Sequence, residues 1–308
     1  MNEVYHSGEI QVQESTGERQ IAMSTGRVIT NTIIKGAINF IEQQPLSVVS
    51  SMDAQGQVWT SLLVGDFGFT EVPDQNSLIL HENKIYSPTN DIFFENIQQN
   101  PTIGTLYIEL STRRRFRING QVQRQNQQIF VNIGEAYPNC PKYIQRRVNG
   151  NPERFNQVEA KVTKGNVLTE MHQQWIKKAD TLFVGSSSGN DAQARLDASH
   201  RGGNTGFVQL LDEQILKIPD YKGNAMFNTL GNFAKNPQAG LLFIDFAQGK
   251  TLQLTGTAEL LLDQNSAEDQ DITGGTGRYW TFKTKHWIET ENHHKVDWKL
   301  MDYSPFNP

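Results

Sequence analysis

Apolar residues occur in short runs along this chain, and turns containing Gly, Asn or Asp separate them. Runs of this kind are typical of β-strands. The runs that we predict to be strands are Ser47–Ser51, Gln57–Leu63, Ser77–Leu80, Thr105–Leu110 and Arg115–Val122, then Thr181–Gly185, Ala194–Ser199, Gln214–Ile218, Leu241–Phe246 and Thr251–Leu261. Short, closely spaced strands with few helices indicate a mainly β protein with a small barrel in each half.

Two short helices are predicted at matching places in the two halves, over Asp91–Gln99 and Ala225–Ala234. Asn90 and Asn224 precede them, and an asparagine side chain is suited to cap a helix. An Asn-Pro pair follows each helix, and the residue before a proline is disfavoured in helical conformation. Two further helices are predicted, one starting within Asn139–Arg147 with Pro141 in its first turn, the other over Met171–Ala179.

The second half of the chain repeats part of the first at an offset of 136 residues, from Asn90–Gln123 to Met226–Glu259. The identical pairs are Asn96/Asn232, Asn100/Asn236, Pro101/Pro237, Gly104/Gly240, Leu106/Leu242, Ile108/Ile244 and Gly120/Gly256. Two unrelated segments of this length would share roughly two identical residues. We therefore predict two copies of one domain, over residues 1–160 and 161–308. The alternative is two unrelated domains that share a helix-stop-strand pattern.

Composition narrows the function classes. The chain has 308 residues and a formal net charge of −5, which argues against nucleic-acid binding as its main task. Its one cysteine, Cys140, excludes an intrachain disulfide and fits a reducing compartment. We find no signal peptide and no apolar stretch of membrane-spanning length. These features predict a cytoplasmic globular protein with no membrane partner.

Several runs together resemble the pyridoxamine 5′-phosphate oxidase-like, FMN-binding split-barrel superfamily, and within it a tandem-repeat branch of predicted flavin-nucleotide-binding proteins. The runs are His6–Glu9, Arg115–Gly120, Asn139–Arg147, Ser199–Gly203 and Pro219–Phe227. The resemblance covers nearly the whole chain. It implies two tandem FMN-binding split β-barrels that form an internal pseudo-dimer, with FMN in the groove between them.

The second half carries the residues that the resemblance and the chemistry favour for the FMN phosphate. Arginine is a forked donor suited to phosphate, and glycines allow close backbone approach. We predict Arg201, Lys222 and Asn224 for the phosphate, beside Tyr221 and Gly223. Ser199 and His200 are predicted for the ribityl chain or ring edge. The alternative for residues 199–203 is a turn with a solvated arginine.

The first half carries cations on a different strand. Arg113, Arg115 and Arg117 share one face of it, while Phe116 and Ile118 share the other. Arg115 and Arg117 are predicted to face the groove, where positive charge near a flavin ring raises its reduction potential. Lys142 and Tyr143 are predicted to line the same groove. The alternative for these arginines is that they form a basic strand face exposed to solvent. Nucleic-acid binding by this face is a weaker alternative.

The predicted function is an FMN-dependent oxidoreductase with a small-molecule substrate or an electron donor such as NAD(P)H. The alternatives are a noncatalytic flavin-binding or redox-sensing protein and a haem-binding split barrel, and a homodimer of the chain stays open. Cys140 is a minor redox candidate, because a predicted helix N-terminus and nearby cations would favour its thiolate. No metal site is predicted, because the pair His293-His294 lacks ligand spacing.

Overall fold

The computed structural model describes residues 4–149, 159–191, 194–294 and 298–308. Its α-helices are α1 (Ser7–Ser15), α2 (Arg19–Thr25), α3 (Lys35–Glu42), α4 (Ile92–Gln99), α5 (Glu170–Lys178), α6 (Asn228–Lys235) and α7 (Ala267–Ile272). The strands of the first half are β1 (Leu46–Met52), β2 (Val58–Val64), β3 (Thr70–Asp74), β4 (Ser77–His81), β5 (Thr102–Glu109), β6 (Arg114–Gln125), β7 (Gln128–Pro138) and β8 (Arg146–Asn149). Those of the second half are β9 (Lys161–Gly165), β10 (Thr181–Ser187), β11 (Leu196–Gly202), β12 (Gln209–Leu210), β13 (Ile215–Pro219), β14 (Gln238–Asp245), β15 (Lys250–Leu261), β16 (Tyr279–Glu291) and β17 (Trp298–Asp302).

The two halves have the same sheet topology. The first sheet has the order β2-β1-β5-β6-β7-β4-β3, and the second has the order β11-β10-β14-β15-β16-β13-β12, with β9 added on β16. A β-bulge interrupts each sheet at the matching place, before Gly120 on β6 and before Gly256 on β15. The mainly β fold of two tandem split barrels is therefore confirmed. The boundary between residues 160 and 161 stays a prediction.

The barrels pack directly on each other through β1, β2 and β5 of the first and β10, β11 and β14 of the second. Their shared apolar cluster includes Val48, Leu106, Phe183 and Leu242, all at most 1% exposed. Around it, small residues bring the backbones together. A Cβ atom on Gly104 would lie 2.6 Å from the backbone of Asp197 in the other barrel. Gly240, its counterpart in the repeat, lies equally close to β2, since a Cβ atom there would lie 2.7 Å from Val58 O.

Gly104→Ala is expected to lower the free energy of unfolding by about 1–3 kcal/mol, because the added methyl group would force the two barrels apart. Thermal or denaturant unfolding measures this effect. Gly36→Ala is the matched control, since a Cβ atom at that helical position meets nothing within 4 Å. Alanine there should be neutral or stabilising. Equal stability of the two variants would contradict this reading of the interface.

Several predicted elements are confirmed, and some predictions at their ends are wrong. The helices α4 and α6 both end at the asparagine of an Asn-Pro pair. Asn90 does not cap α4, because Asp91 accepts the N–H of Phe93 instead. Asn224 does not cap α6 either; the N-cap is Phe227, in the left-handed region. Helix α6 starts three residues later than predicted, after a loop that contains two residues in the left-handed region.

The helix predicted within Asn139–Arg147 is wrong. Residues 142–143 form a turn, Tyr143 has φ of +66°, and β8 begins at Arg146. The buried amide of Gln145 takes the hydrogen bonds that a helix would supply, since it donates to Tyr143 O (3.1 Å) and Gly203 O (3.1 Å). The N–H of Ser304 in turn donates to Gln145 Oε1 (2.7 Å). Hydrogen bonds from Gln145 to residues distant in sequence thus hold this segment in place of the hydrogen bonds of a helix.

Segments at both ends of the described chain cross to the other half. Helix α1 packs on α6 of the second barrel, and β17 pairs with β8. Helix α1 and α6 meet at two glycines: a Cβ atom on Gly8 would lie 2.2 Å from Gly231 O. Among the described helices, none is long and apolar enough to cross a membrane.

Candidate functional site

A cavity of about 100 Å³ lies between the two barrels and opens to solvent. Residues of β6 and of the 139–143 loop, which follows β7, line it from the first half. Residues of β11 and of the 219–229 segment line it from the second. The predicted site residues that line it are Arg115, Arg117, Lys142, Tyr143, Ser199, His200, Arg201, Tyr221, Gly223 and Asn224. Lys222 is not among the lining residues, and it is exposed.

Strand β6 brings two arginines to the cavity, as the alternation of its side chains predicts. Phe116 and Ile118 lie in the core of the first barrel. On the opposite face, Arg117 forms a buried ion pair with Asp197 of the second barrel at 3.2 Å. It also donates to Ala198 O at 3.0 Å and to the Ser199 hydroxyl. Arg117 thus joins the two halves beneath the cavity. Arg113 lies outside it, paired with Asp302.

Arg115 differs from Arg117 because its guanidinium contacts carbonyl groups instead of a carboxylate. Its Nε donates to Cys140 O (2.7 Å) and its Nη1 to His200 O (3.3 Å). Within the described part of the chain it forms no ion pair. Burial, with the nearby guanidinium group of Arg117, lowers the pKa of Arg115 to about 9. A cation in this position is costly without a partner, so a ligand that brings a hydrogen-bond acceptor or a negative charge would be favoured here.

Arg201 reaches the cavity from the second barrel and is held by a carboxylate. Its Nη1 lies 3.2 Å from Asp220 Oδ1, and the other oxygen of Asp220 accepts Arg278 Nε at 3.1 Å. Two guanidinium groups therefore share one buried carboxylate. Asp220 and Arg278 were missed by sequence reasoning. The one sequence signal for Asp220 was its position within the Pro219–Phe227 run that carries the family resemblance. Arg278 is distant in sequence from all of these runs.

Buried polar atoms without partners belong to residues that line this cavity. His200 is 4% exposed, yet neither ring nitrogen has a hydrogen-bond partner within the described residues. The same is true of Arg201 Nε and Asn139 Oδ1. Burial and the adjacent Arg115 and Arg201 hold the pKa of His200 well below its usual range, so the ring is neutral at neutral pH. A neutral imidazole offers a ligand one donor and one acceptor.

The loop before α6 has an unusual backbone where it borders the cavity. Ala225 (φ +60°) and Phe227 (φ +57°) are both left-handed, and both line the cavity. Such residues cost about 1–3 kcal/mol each and persist only where surrounding contacts fix them. The Asn224 side chain is one such contact, since its Oδ1 accepts the N–H of Met226 at 3.2 Å. Asn228 and Thr229, also missed by sequence reasoning, complete this wall.

Two tyrosines from opposite halves meet at the cavity. The rings of Tyr143 and Tyr221 lie 4.9 Å apart, tilted by 39°. The Tyr143 hydroxyl donates to Lys222 O at 3.0 Å. Burial raises the pKa of Tyr221 well above its usual range, so its hydroxyl stays protonated. The pair supplies a neutral aromatic surface beside the guanidinium groups.

Cys140 also lines the cavity and is partly buried. The helix N-terminus that was predicted to activate its thiol is absent, because residues 139–141 are not helical. Among the described residues, no group of three or more His, Cys, Asp or Glu side chains is placed to hold a metal ion.

The matching position in the other half is filled by side chains of the chain itself. Gln253, the repeat counterpart of Arg117, donates to Thr60 O (3.0 Å) and Ser61 Oγ (2.8 Å). His293 takes the place of the Arg115 guanidinium: it donates to Leu62 O at 2.8 Å and contacts Thr251 Oγ1 at 3.1 Å. Leu63, fully buried, stands where Arg201 stands in the second half.

Comparison with protein families matches residues 168–291 to the model for pyridoxamine 5′-phosphate oxidase. A search of curated proteins finds no match.

Solved structures similar to this chain each span about one barrel of it. A putative pyridoxamine 5′-phosphate oxidase from Lactobacillus delbrueckii is 16% identical, with a TM-score of 0.29, over 35% of this chain and 95% of that one. A protein related to general stress protein 26, from Clostridium acetobutylicum, is 16% identical, with a TM-score of 0.28, over 42% and 92%. An FAD-binding protein from Mesorhizobium loti is 10% identical, with a TM-score of 0.29, over 42% and 99%.

Proposed function

We propose that this chain, whose residues 168–291 belong to the pyridoxamine 5′-phosphate oxidase-like superfamily, binds FMN in the cavity between its two barrels. The observation that carries the proposal is the unpaired, partly buried Arg115 beside Arg117 and Arg201, since three guanidinium groups around one cavity favour an anionic ligand. Membership in the tandem-repeat branch of the superfamily stays a prediction.

The donor set suits each part of FMN. Arg201 and the loop before α6 offer a guanidinium and backbone N–H groups to a phosphate. The unpartnered atoms of His200 and Asn139 can pair with the polar edge of the ring or with the ribityl chain. The Tyr143–Tyr221 pair offers an aromatic surface to the flavin ring. Both halves contribute, so the cavity depends on the pairing of the two barrels.

The proposal gives Arg115 and Arg117 a different role from Arg201. They lie on β6 next to Ser199 and His200, and Arg117 also donates to Asn228 Oδ1 at the start of α6 (3.3 Å). Fixed positive charge at the ring edge stabilises negative charge there and so raises the reduction potential of a flavin. When bound, FMN supplies the transfer of a hydride or of single electrons.

We propose further that the protein is a flavin-dependent oxidoreductase that uses a small-molecule substrate or an electron donor such as NAD(P)H. One FMN per chain is proposed, because the counterpart position is filled by His293, Gln253 and Leu63. A noncatalytic flavin-binding or redox-sensing role is the alternative. Turnover of NAD(P)H with an electron acceptor separates the two, since a sensor would be reduced without turnover.

The visible absorption spectrum of the purified protein tests flavin binding. The expected result is a flavin band whose chromophore is released on denaturation and identified as FMN by mass spectrometry. Apoprotein that stays colourless and takes up no FMN when mixed with it would reject the proposal. A haem spectrum in place of the flavin band would also reject it and favour the haem-binding alternative.

A further inference from the structure

The N-terminal segment (residues 4–28, with α1 and α2) contacts the loop of residues 224–228, which borders the cavity and ends at the first residue of α6. Three residues of this loop, in alternation, are contacted by side chains of the segment. Thr25 Oγ1 donates to Asn224 O at 2.8 Å, and Gln13 Nε2 donates to Met226 O at 2.9 Å. The side-chain amide of Asn228 donates to the carboxylate of Glu9.

The two residues between these anchors, Ala225 and Phe227, are the left-handed ones that line the cavity. In a trans peptide the C=O of one residue and the N–H of the next point to opposite sides. Carbonyls of Asn224 and Met226 that are turned toward the N-terminal segment therefore turn the N–H groups of Ala225 and Phe227 away from it, toward the cavity. Backbone N–H groups gathered in this way form a concave site for anions.

Asn224 O is the nearest of three carbonyl oxygens within reach of the Thr25 hydroxyl, and the Gln13 side chain is itself fixed in direction. Gln13 is fully buried, and its Oε1 accepts a hydrogen bond from Arg19, so its NH₂ group faces Met226 O. The segment as a whole is docked on α6 through the close contact of Gly8 with Gly231 and a hydrogen bond of 2.9 Å between His6 Nε2 and Asn232 Oδ1. Arg278 ties the segment to the phosphate side of the cavity, since it contacts both Glu18 and Asp220.

We propose that Thr25 and Gln13 are positioning residues for the phosphate group of the bound flavin: by holding the carbonyls of Asn224 and Met226, they aim the N–H groups of Ala225 and Phe227 at that phosphate. This inference rests on the proposed binding of FMN. It assigns to residues 4–28 a role in recognising the phosphate end of the ligand, and none at its ring.

Equilibrium titration with FMN and with riboflavin, which has no phosphate, tests the inference. Thr25→Val removes the hydroxyl donor at nearly constant volume, and Gln13→Met removes the amide donor. Each is expected to weaken FMN binding about fivefold, the effect of one lost hydrogen bond. The affinity for riboflavin should stay within about twofold. Thr25→Ser keeps the hydroxyl and is expected to keep the wild-type ratio of the two affinities.

Equal losses for FMN and riboflavin in the valine and methionine variants would overturn the inference, because a purely structural role weakens both ligands alike. Unchanged FMN binding in both variants would also overturn it, and would leave the proposed function standing. A wild-type protein that binds neither flavin would overturn the proposed function and this inference together. The melting temperature of each variant, measured in parallel, shows whether the apoprotein remains folded during the titration.

Discussion

Arg201→Ala is expected to weaken the binding of FMN about 10- to 100-fold, the usual effect of losing a charge-assisted hydrogen bond. The affinity for riboflavin should change by less than about threefold, because the proposed partner of Arg201 is the phosphate. Fluorescence titration of apoprotein with each ligand measures both constants. The fold should tolerate the change, since Arg278 remains to neutralise Asp220.

Arg124→Ala is the matched control for this variant. Arg124 is also an arginine paired with a carboxylate, Glu82 at 2.7 Å, but it does not line the cavity. The Arg124→Ala variant should bind FMN and riboflavin with the wild-type affinities. Parallel losses of FMN and riboflavin binding in Arg201→Ala would contradict the assignment of Arg201 to the phosphate.

Arg117→Met and Arg115→Met are expected to affect the apoprotein very differently, although the two residues are neighbours on one face of β6. Arg117 neutralises Asp197, and both residues are at most 5% exposed. Its removal leaves a buried carboxylate without a counter-charge, which costs about 3–5 kcal/mol of folding free energy. Arg115 has no carboxylate partner among the described residues, so its loss should cost less than about 2 kcal/mol.

Denaturant unfolding of the two apoproteins measures this difference. The double variant Arg117→Met/Asp197→Asn should regain part of the lost stability, because the isolated charge is gone. Arg115→Met should weaken the binding of both FMN and riboflavin by about tenfold or more, since it is assigned to the ring end. Equal destabilisation by the two single variants would contradict the contrast between a paired and an unpaired arginine.

The fold was largely predictable because its determinants are local and occur twice. Asn100-Pro101 and Asn236-Pro237 end matching helices, and Gly104 and Gly240 mark the matching strands that touch the other barrel. Alternation along β6 predicted that Arg115 and Arg117 oppose Phe116. Short-range periodicity and helix-stop signals are sufficient for such inferences.

The errors arose where distant contacts override local preference. Pro141 is compatible with a helix start, but Gln145 and Ser304 hold that segment in a turn. Asn224 is a suitable cap in sequence, but the N-terminal segment fixes the loop after it in a left-handed conformation. Arg278 contacts Asp220, and Gln13 contacts Met226, from far along the chain, and no local pattern marks either contact.

The central claim is that the two unequal halves of the chain form a single flavin site between them. Calorimetric titration of the apoprotein with FMN tests it most directly, because it gives the number of sites and the affinity together. The account predicts one FMN per chain, with binding much weaker in Arg201→Ala. Two equivalents of FMN per chain would contradict it, since the position occupied by His293 and Gln253 would then have to open, and so would the absence of any saturable binding.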